Sequence, residues 1–247
     1  MHRYLLNSFY NIKIGGNNII SKSVKIHENV IIGNNNKIHD NVIIYPNTII
    51  GDNNIILNNN IIGEYPIQSN GKFIDYDFTK TFGTKIGNNN FFHVRNIIYS
   101  GVSRPTKIKN NTKFLGENHI GHDCIINNHS TIYTRTLLCG YVEMLDYSST
   151  GVYSFIHQNK IIGQYSMVGG NSSITKNVFP YFINIDNNIS KINKIKLPEN
   201  IIKYENELKK IAEQFYRGNK KIDISNLSDE INNDLNIFLY KSNILYE

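Results

Sequence analysis

Ile26-His27-Glu28-Asn29-Val30-Ile31-Ile32-Gly33-Asn34-Asn35-Asn36-Lys37-Ile38-His39-Asp40-Asn41-Val42-Ile43-Ile44 is the stretch whose reading decides the architecture. Ile26, Ile32, Ile38 and Ile44 stand six residues apart. The same register reaches back to Ile14 and Ile20 and forward through Ile50, Ile56 and Ile62, then resumes at Ile86, Phe92 and Ile98. A second register runs through Ile108, Phe114, Ile120, Ile126, Ile132, Leu138 and Met144. It skips Thr150 and continues through Ile156, Ile162, Val168 and Ile174. A helix repeats its apolar face at about 3.6 residues and a strand at about 2, so period six marks an internal repeat.

Such a period fits a parallel β-helix, mainly β, in which three hexads make one triangular coil. The sixth-position side chain points inward and stacks on its counterparts in adjacent coils. One coil cannot bury its own apolar face, so stability comes from stacking in series. The corners between inward residues read Gly33-Asn34-Asn35-Asn36, Gly51-Asp52-Asn53-Asn54 and Gly87-Asn88-Asn89-Asn90. Tight corners call for positive φ, which Gly, Asn and Asp tolerate best.

The repeat spans residues 1–190 with two interruptions, near 63–85 and 99–107, and insertions in a solenoid emerge on one face. The first carries Glu64, Tyr65, Pro66, Gln68, Asp75, Tyr76, Asp77 and Phe78; the second carries Gly101, Arg104 and Pro105. An acidic and aromatic loop with Glu64 and Gln68 suits a sugar, and Arg104 suits a phosphate. Residues 191–247 read as a helical region. One helix is expected from Pro198 to before Gly218, with Ile201, Ile202, Leu208, Ile211, Ala212 and Phe215 on one face, and a second after Ser228 with Ile231, Leu235, Phe238 and Leu239. These helices would cap the solenoid or pack at a subunit interface.

The formal charge of +6 is concentrated toward the C-terminal part, and no nucleic-acid-binding motif accompanies it. A phosphate-bearing small molecule or an acidic carrier protein is the expected anionic partner, rather than nucleic acid. Two cysteines, Cys124 and Cys139, are too few for a disulfide framework. No segment has the length of a membrane span or the form of a signal peptide, so a cytoplasmic location is expected.

The densest reactive cluster is His119-Ile120-Gly121-His122-Asp123-Cys124. Ile120 is on the inward register, which leaves His119 and His122 on the outer surface. A histidine there can act as a base near neutral pH, with the carboxylate of Asp123 fixing its tautomer. Cys124 reads as structural, because a reactive thiolate needs exposure and activation.

This string, together with Glu117, Gly140, Ile156-His157-Gln158 and Met167-Val168-Gly169-Gly170, resembles the lipid A UDP-N-acetylglucosamine acyltransferase family. The likeness covers Ile26 to about Tyr181 and, more weakly, the C-terminal helices at Glu213-Gln214-Phe215-Tyr216-Arg217-Gly218. The resemblance implies a left-handed solenoid and a homotrimer with its cleft between subunits. It further implies that His122 is the general base, that the Gly140 N–H helps stabilise the oxyanion, and that His119, His157 and Gln158 line the cleft. Gly170 would leave room beside the acyl pocket. Three departures bear on the acceptor: Tyr141 where the family has His, Gln68 followed by Ser69 where it has Gln-Asp, and Lys194-Ile195-Lys196-Leu197 where it has paired arginines. Tyr141 could supply a hydrogen bond in place of the missing His.

Those departures put one expectation first: transfer of an acyl group from acyl-CoA to the amino group of a nucleotide-linked amino (dideoxy) sugar, for surface polysaccharide biosynthesis. O-acylation of UDP-N-acetylglucosamine from acyl carrier protein, for lipid A biosynthesis, is the alternative. In both, the thioester is a co-substrate and no cofactor or metal is tightly bound. A carbonic anhydrase-like metal hydratase using His119, His122 and His157, and a catalytically inactive binding solenoid, are the readings from other classes.

Overall fold

A computed structural model describes residues 11–66, 81–195, 197–219, 221–243 and 245–246. They form a parallel β-solenoid of about nine turns followed by helices, the mainly β class expected from the period. Short strands, mostly of two residues, stack into three sheets of eight, ten and eight strands, parallel throughout the solenoid. Ile32 pairs with Ile50 and Ile126 with Met144 in the first sheet, so one coil is three hexads. From Ile32 to Ile174 every inward side chain is at most 3% exposed, and each buried aliphatic group contributes about 1.5–3 kcal/mol. Thr150, the apparent gap, also points inward; its hydroxyl is 2.9 Å from that of Thr136, which satisfies a polar group in an apolar column.

The two insertions differ in phase. Ile50 pairs with Ile86, a full multiple of the coil, so the first leaves the register intact. Ile86 pairs with Ile108, four residues beyond the 18-residue coil, and this slip separates the two registers. Both insertions leave the solenoid at the same corner, between the third and first sheets. Gln68, Ser69, Asp75, Tyr76, Asp77 and Phe78 lie outside the described residues.

At the corners the expected positive φ is carried by asparagine. Positive φ falls on the third residue past the inward one, as at Asn35 (57°), Asn53 (58°) and Asn89 (58°), and not on the glycines. Gly33 is required for closeness instead: a Cβ there would lie 2.7 Å from the carbonyl oxygen of Gly51 in the next coil. Tyr141, Tyr147, Tyr153 and Tyr165 also occupy positive φ, at about 1–2 kcal/mol each. Asparagine serves a second purpose in buried ladders. Asn54 Oδ1 accepts from the Asn90 N–H at 2.9 Å, while its Nδ2 donates to Asn36 Oδ1 at 3.0 Å and to the Gly87 carbonyl at 2.9 Å. Asn54→Ala therefore strands several buried groups, and denaturant unfolding should show a loss of about 2–3 kcal/mol.

Past Ile174 the chain forms a β-hairpin, Phe182–Ile185 with Asn188–Ile192, which extends the second sheet and which period six did not foretell. The expected single helix is two: α1 (Glu199–Ile202) and α2 (Glu205–Tyr216). The Tyr204 N–H turns back to the Ile201 carbonyl, a tight three-residue closure that ends α1. Helix α3 (Asp229–Lys241) buries Ile231, Leu235, Phe238 and Leu239, as its pattern predicts. The helices cap the C-terminal end of the solenoid: Phe179 packs on Phe215 and Phe238 at 5.6 and 5.5 Å between ring centres, and the Tyr181 hydroxyl donates to Asp234 at 2.8 Å.

Candidate active site

His122 lies at the third-to-first corner, one coil beyond the second insertion. Its Nδ1 is 2.7 Å from Asp123 Oδ2; the carboxylate is wholly buried and the imidazole 30% exposed. The rest of the carboxylate is gripped by the insertion. The Val102 N–H donates to Oδ2 at 2.9 Å, and Oδ1 accepts from the N–H groups of Ser103 (2.9 Å) and Arg104 (2.8 Å) and from the Ser103 hydroxyl (2.9 Å). The Thr106 hydroxyl accepts from the Asp123 N–H at 2.8 Å.

Burial alone would raise the Asp123 pKa, but the Val102 N–H, the His122 ring and the N–H groups of Ser103 and Arg104 together hold it below the usual carboxylate value. An ionised carboxylate only accepts, so His122 Nδ1 carries the proton and Nε2 is left as a lone-pair acceptor. The sign for stability follows. Asp123 favours the folded state above the unfolded carboxyl pKa of about 3.9, and that contribution is lost as pH falls through its lower folded value. Thermal melts from pH 6 to pH 2 should therefore show a shallower loss of Tm in Asp123→Asn than in the wild type.

Gly140 occupies the position below His122 in the next coil. A Cβ on Gly140 would lie 2.7 Å from both Cε1 and Nε2 of His122, so the bare backbone sits directly against the free edge of the ring. Its N–H is also open. At the first-to-second corner the equivalent N–H is capped by the next coil, as from Asp52 to Asn88 Oδ1 at 2.7 Å and from Asn128 to Asp146 Oδ1 at 2.7 Å. The Gly140 N–H has no acceptor among the described residues. The Nε2 edge of the base and a glycine with an open backbone donor are thus neighbours, and acyl transfer uses groups of these two kinds.

A cleft of about 210 Å³ opens there, lined by Pro66, Tyr99, His119, Gly121, His122, Leu137, Cys139 and Gly140. Larger clefts of about 520 and 400 Å³ lie against the C-terminal helices and contain none of this chemistry. The His119 ring lies 4.7 Å from that of Tyr99, tilted by 44°, and burial lowers the His119 pKa. Glu64 is at the start of the first insertion, its carboxylate accepting from the Tyr65 N–H at 2.8 Å. His157 and Gln158 are exposed, two coils along the same corner from His122.

Arg104, Tyr141 and Gly170 are the remaining candidates among the described residues. Arg104 turns inward: its Nε and Nη2 donate to the Asp123 carbonyl at 3.1 and 3.0 Å. The Tyr141 ring stands edge-on to His122 at 5.2 Å, and its hydroxyl is 3.2 Å from Ser103 Oγ. Gly170 follows a strand of the second sheet, so the third sheet separates it from the corner of His122. Gln68 lies outside the described residues. The sequence reading missed Val102, Ser103 and Thr106; counting back one coil from His122 and Asp123 would have led to this loop. No group of three or more metal-ligating His, Cys, Asp or Glu side chains gathers among the described residues.

Burial pushes the Cys124 thiol up to about 12, in keeping with a structural role. Iodoacetamide at pH 8 should leave Cys124 unlabelled in the native protein and label it after unfolding, as peptide mass spectrometry would show.

Residues 29–64 match the family profile described as bacterial transferase hexapeptide, six repeats. Among solved structures, the chain is similar to UDP-N-acetylglucosamine acyltransferase from Campylobacter jejuni, with a TM-score of 0.70 at 23% identity over 93% of this chain and 86% of that one. It is also similar to LpxA from Acinetobacter baumannii, with a TM-score of 0.69 at 25% identity over 95% of this chain and 93% of that one. The parallel β-solenoid of about nine turns is thus a fold shared with these solved structures. Within this hexapeptide fold, sequence similarity points the same way. An acyl-(acyl-carrier-protein)-UDP-N-acetylglucosamine O-acyltransferase from Nautilia profundicola is 33% identical over 115 residues, 45% of this chain and 44% of that protein. A protein of the same name from Burkholderia lata is 32% identical over 101 residues, 40% of this chain and 38% of that one. The matched stretch spans less than half the length of either curated relative. Among the described residues no helix is long and apolar enough to cross a membrane.

Proposed function

We propose that the protein is an O-acyltransferase that moves an acyl group from acyl carrier protein to a hydroxyl of UDP-N-acetylglucosamine. The observation that carries this reading is the placement of the His122 Nε2 lone pair against the open N–H of Gly140. His122 takes the proton of the acceptor hydroxyl as its oxygen attacks the thioester carbonyl carbon. The carbonyl oxygen gathers negative charge and accepts from the Gly140 N–H. The C–S bond then breaks, and His122 returns its proton to the departing sulfur. Asp123 holds the tautomer and stabilises the imidazolium between the two steps. No enzyme-bound acyl group is needed.

The amine acceptor expected first from Tyr141 and the altered loop gives way to the hydroxyl, because the curated relatives quoted above bear O-acyltransferase names. The reading also takes over from the sequence analysis a homotrimer, checked by light scattering, and a cytoplasmic location. Thiol release is the decisive assay. 3-Hydroxyacyl carrier protein with UDP-N-acetylglucosamine should release thiol and yield an ester. Turnover confined to acyl-CoA with nucleotide-linked amino sugars, yielding an amide, would overturn the proposal.

A further inference from the structure

Ser103 has no place in the reaction above, yet its side chain joins the carboxylate of Asp123 to Tyr141. Its Oγ is 2.9 Å from Asp123 Oδ1 and 3.2 Å from the Tyr141 hydroxyl, and its own N–H donates to the same Oδ1 at 2.9 Å. A hydroxyl has one proton. The ionised carboxylate accepts only, so that proton belongs to the bond with Asp123, and Tyr141 must be the donor to Ser103. The chain has one direction: Tyr141 O–H to Ser103 Oγ, Ser103 O–H to Asp123, with Asp123 accepting His122 Nδ1–H on its other oxygen.

The same tyrosine walls the base. Its ring meets the His122 ring at 88° and 5.2 Å, and the Arg104 guanidinium lies 5.8 Å from its ring centre. The backbone of Gly140 closes the imidazole from the next coil. His122 is therefore held by a hydrogen bond at Nδ1, by the Gly140 backbone against its Cε1–Nε2 edge and by a T-shaped contact with Tyr141. Among the described residues, Ser103 is the one side chain hydrogen-bonded to both the Asp123 carboxylate and the Tyr141 hydroxyl.

We propose that Ser103 is a positioning residue, which fixes the tautomer and ring orientation of His122 through Asp123 and Tyr141. The kinetic part rests on the acyl-transfer reading; the spectroscopic part does not. In full-length protein labelled with nitrogen-15 histidine, at a pH where the imidazole is neutral, His122 should show a single Nδ1–H tautomer. Its signal is assigned by its loss in His122→Gln. Ser103→Ala should give a tautomer mixture, with kcat lowered about tenfold and KM little changed. Ser103→Thr, which keeps the hydroxyl, should restore both. Tyr141→Phe keeps the ring and removes the donor, and should move the tautomer ratio in the same direction by less; it also serves as the test should Ser103→Ala fail to fold. A wild-type tautomer in the folded Ser103→Ala protein, or in Tyr141→Phe where only that variant folds, would overturn the proposal. A wild type without acyl-transfer activity would remove the kinetic arm with the functional reading and leave the tautomer measurement to decide.

Discussion

His122→Ala should lower kcat for thiol release by about a thousandfold while the protein stays folded. General base catalysis contributes about 10²–10⁴ in rate, and His122 is the imidazole whose Nδ1 is tied to a buried carboxylate and whose other edge meets the Gly140 backbone. The fold should survive because the imidazole is partly exposed and four donors from the second insertion still hold Asp123. Steady-state kinetics with circular dichroism melts would check both halves. A variant that keeps wild-type kcat would remove His122 from the chemistry and leave the solenoid as a binding scaffold.

Gly140→Ala is the subtler change with an effect of similar kind. The added methyl group would lie 2.7 Å from Nε2 and Cε1 of His122, so the ring must move. Misplacing a catalytic group by about 1 Å costs about a hundredfold in kcat. Because the obstructing atoms belong to a side chain and Gly140 is not at positive φ, stability should change little. Gly121→Ala is the contrast. There the methyl would meet backbone atoms of Cys139 and Gly140 at 2.7 Å, which cannot swing aside, so Tm should fall along with activity. Comparing kcat and Tm across the two variants separates displacement of the base from disruption of the coil.

The scaffold was legible because its cause is local and repeated. An aliphatic residue every sixth position can be buried only if each hexad makes one side of a coil, and Asn at the corners both accepts positive φ and caps the next coil. His119 and His122 were legible by the same ruler, since Ile120 points inward. Both insertions emerge at the corner that carries His122 and Gly140, as an edge for substrate entry would require.

The sequence by itself determined the solenoid, the outward histidines and the two lapses in the repeat. Only the tertiary structure decided what the second lapse does. Its four-residue slip is read easily, but Val102, Ser103 and Arg104 reach Asp123 across about twenty residues of chain, through stacking that no local pattern encodes. Arg104, read as a phosphate ligand, instead holds the Asp123 carbonyl, and Gly170 sits across the third sheet from the base. Periodic burial is a one-dimensional property and can be read along the chain. A buried carboxylate must collect its donors from whichever backbone the coil above brings within reach, and that is settled in three dimensions.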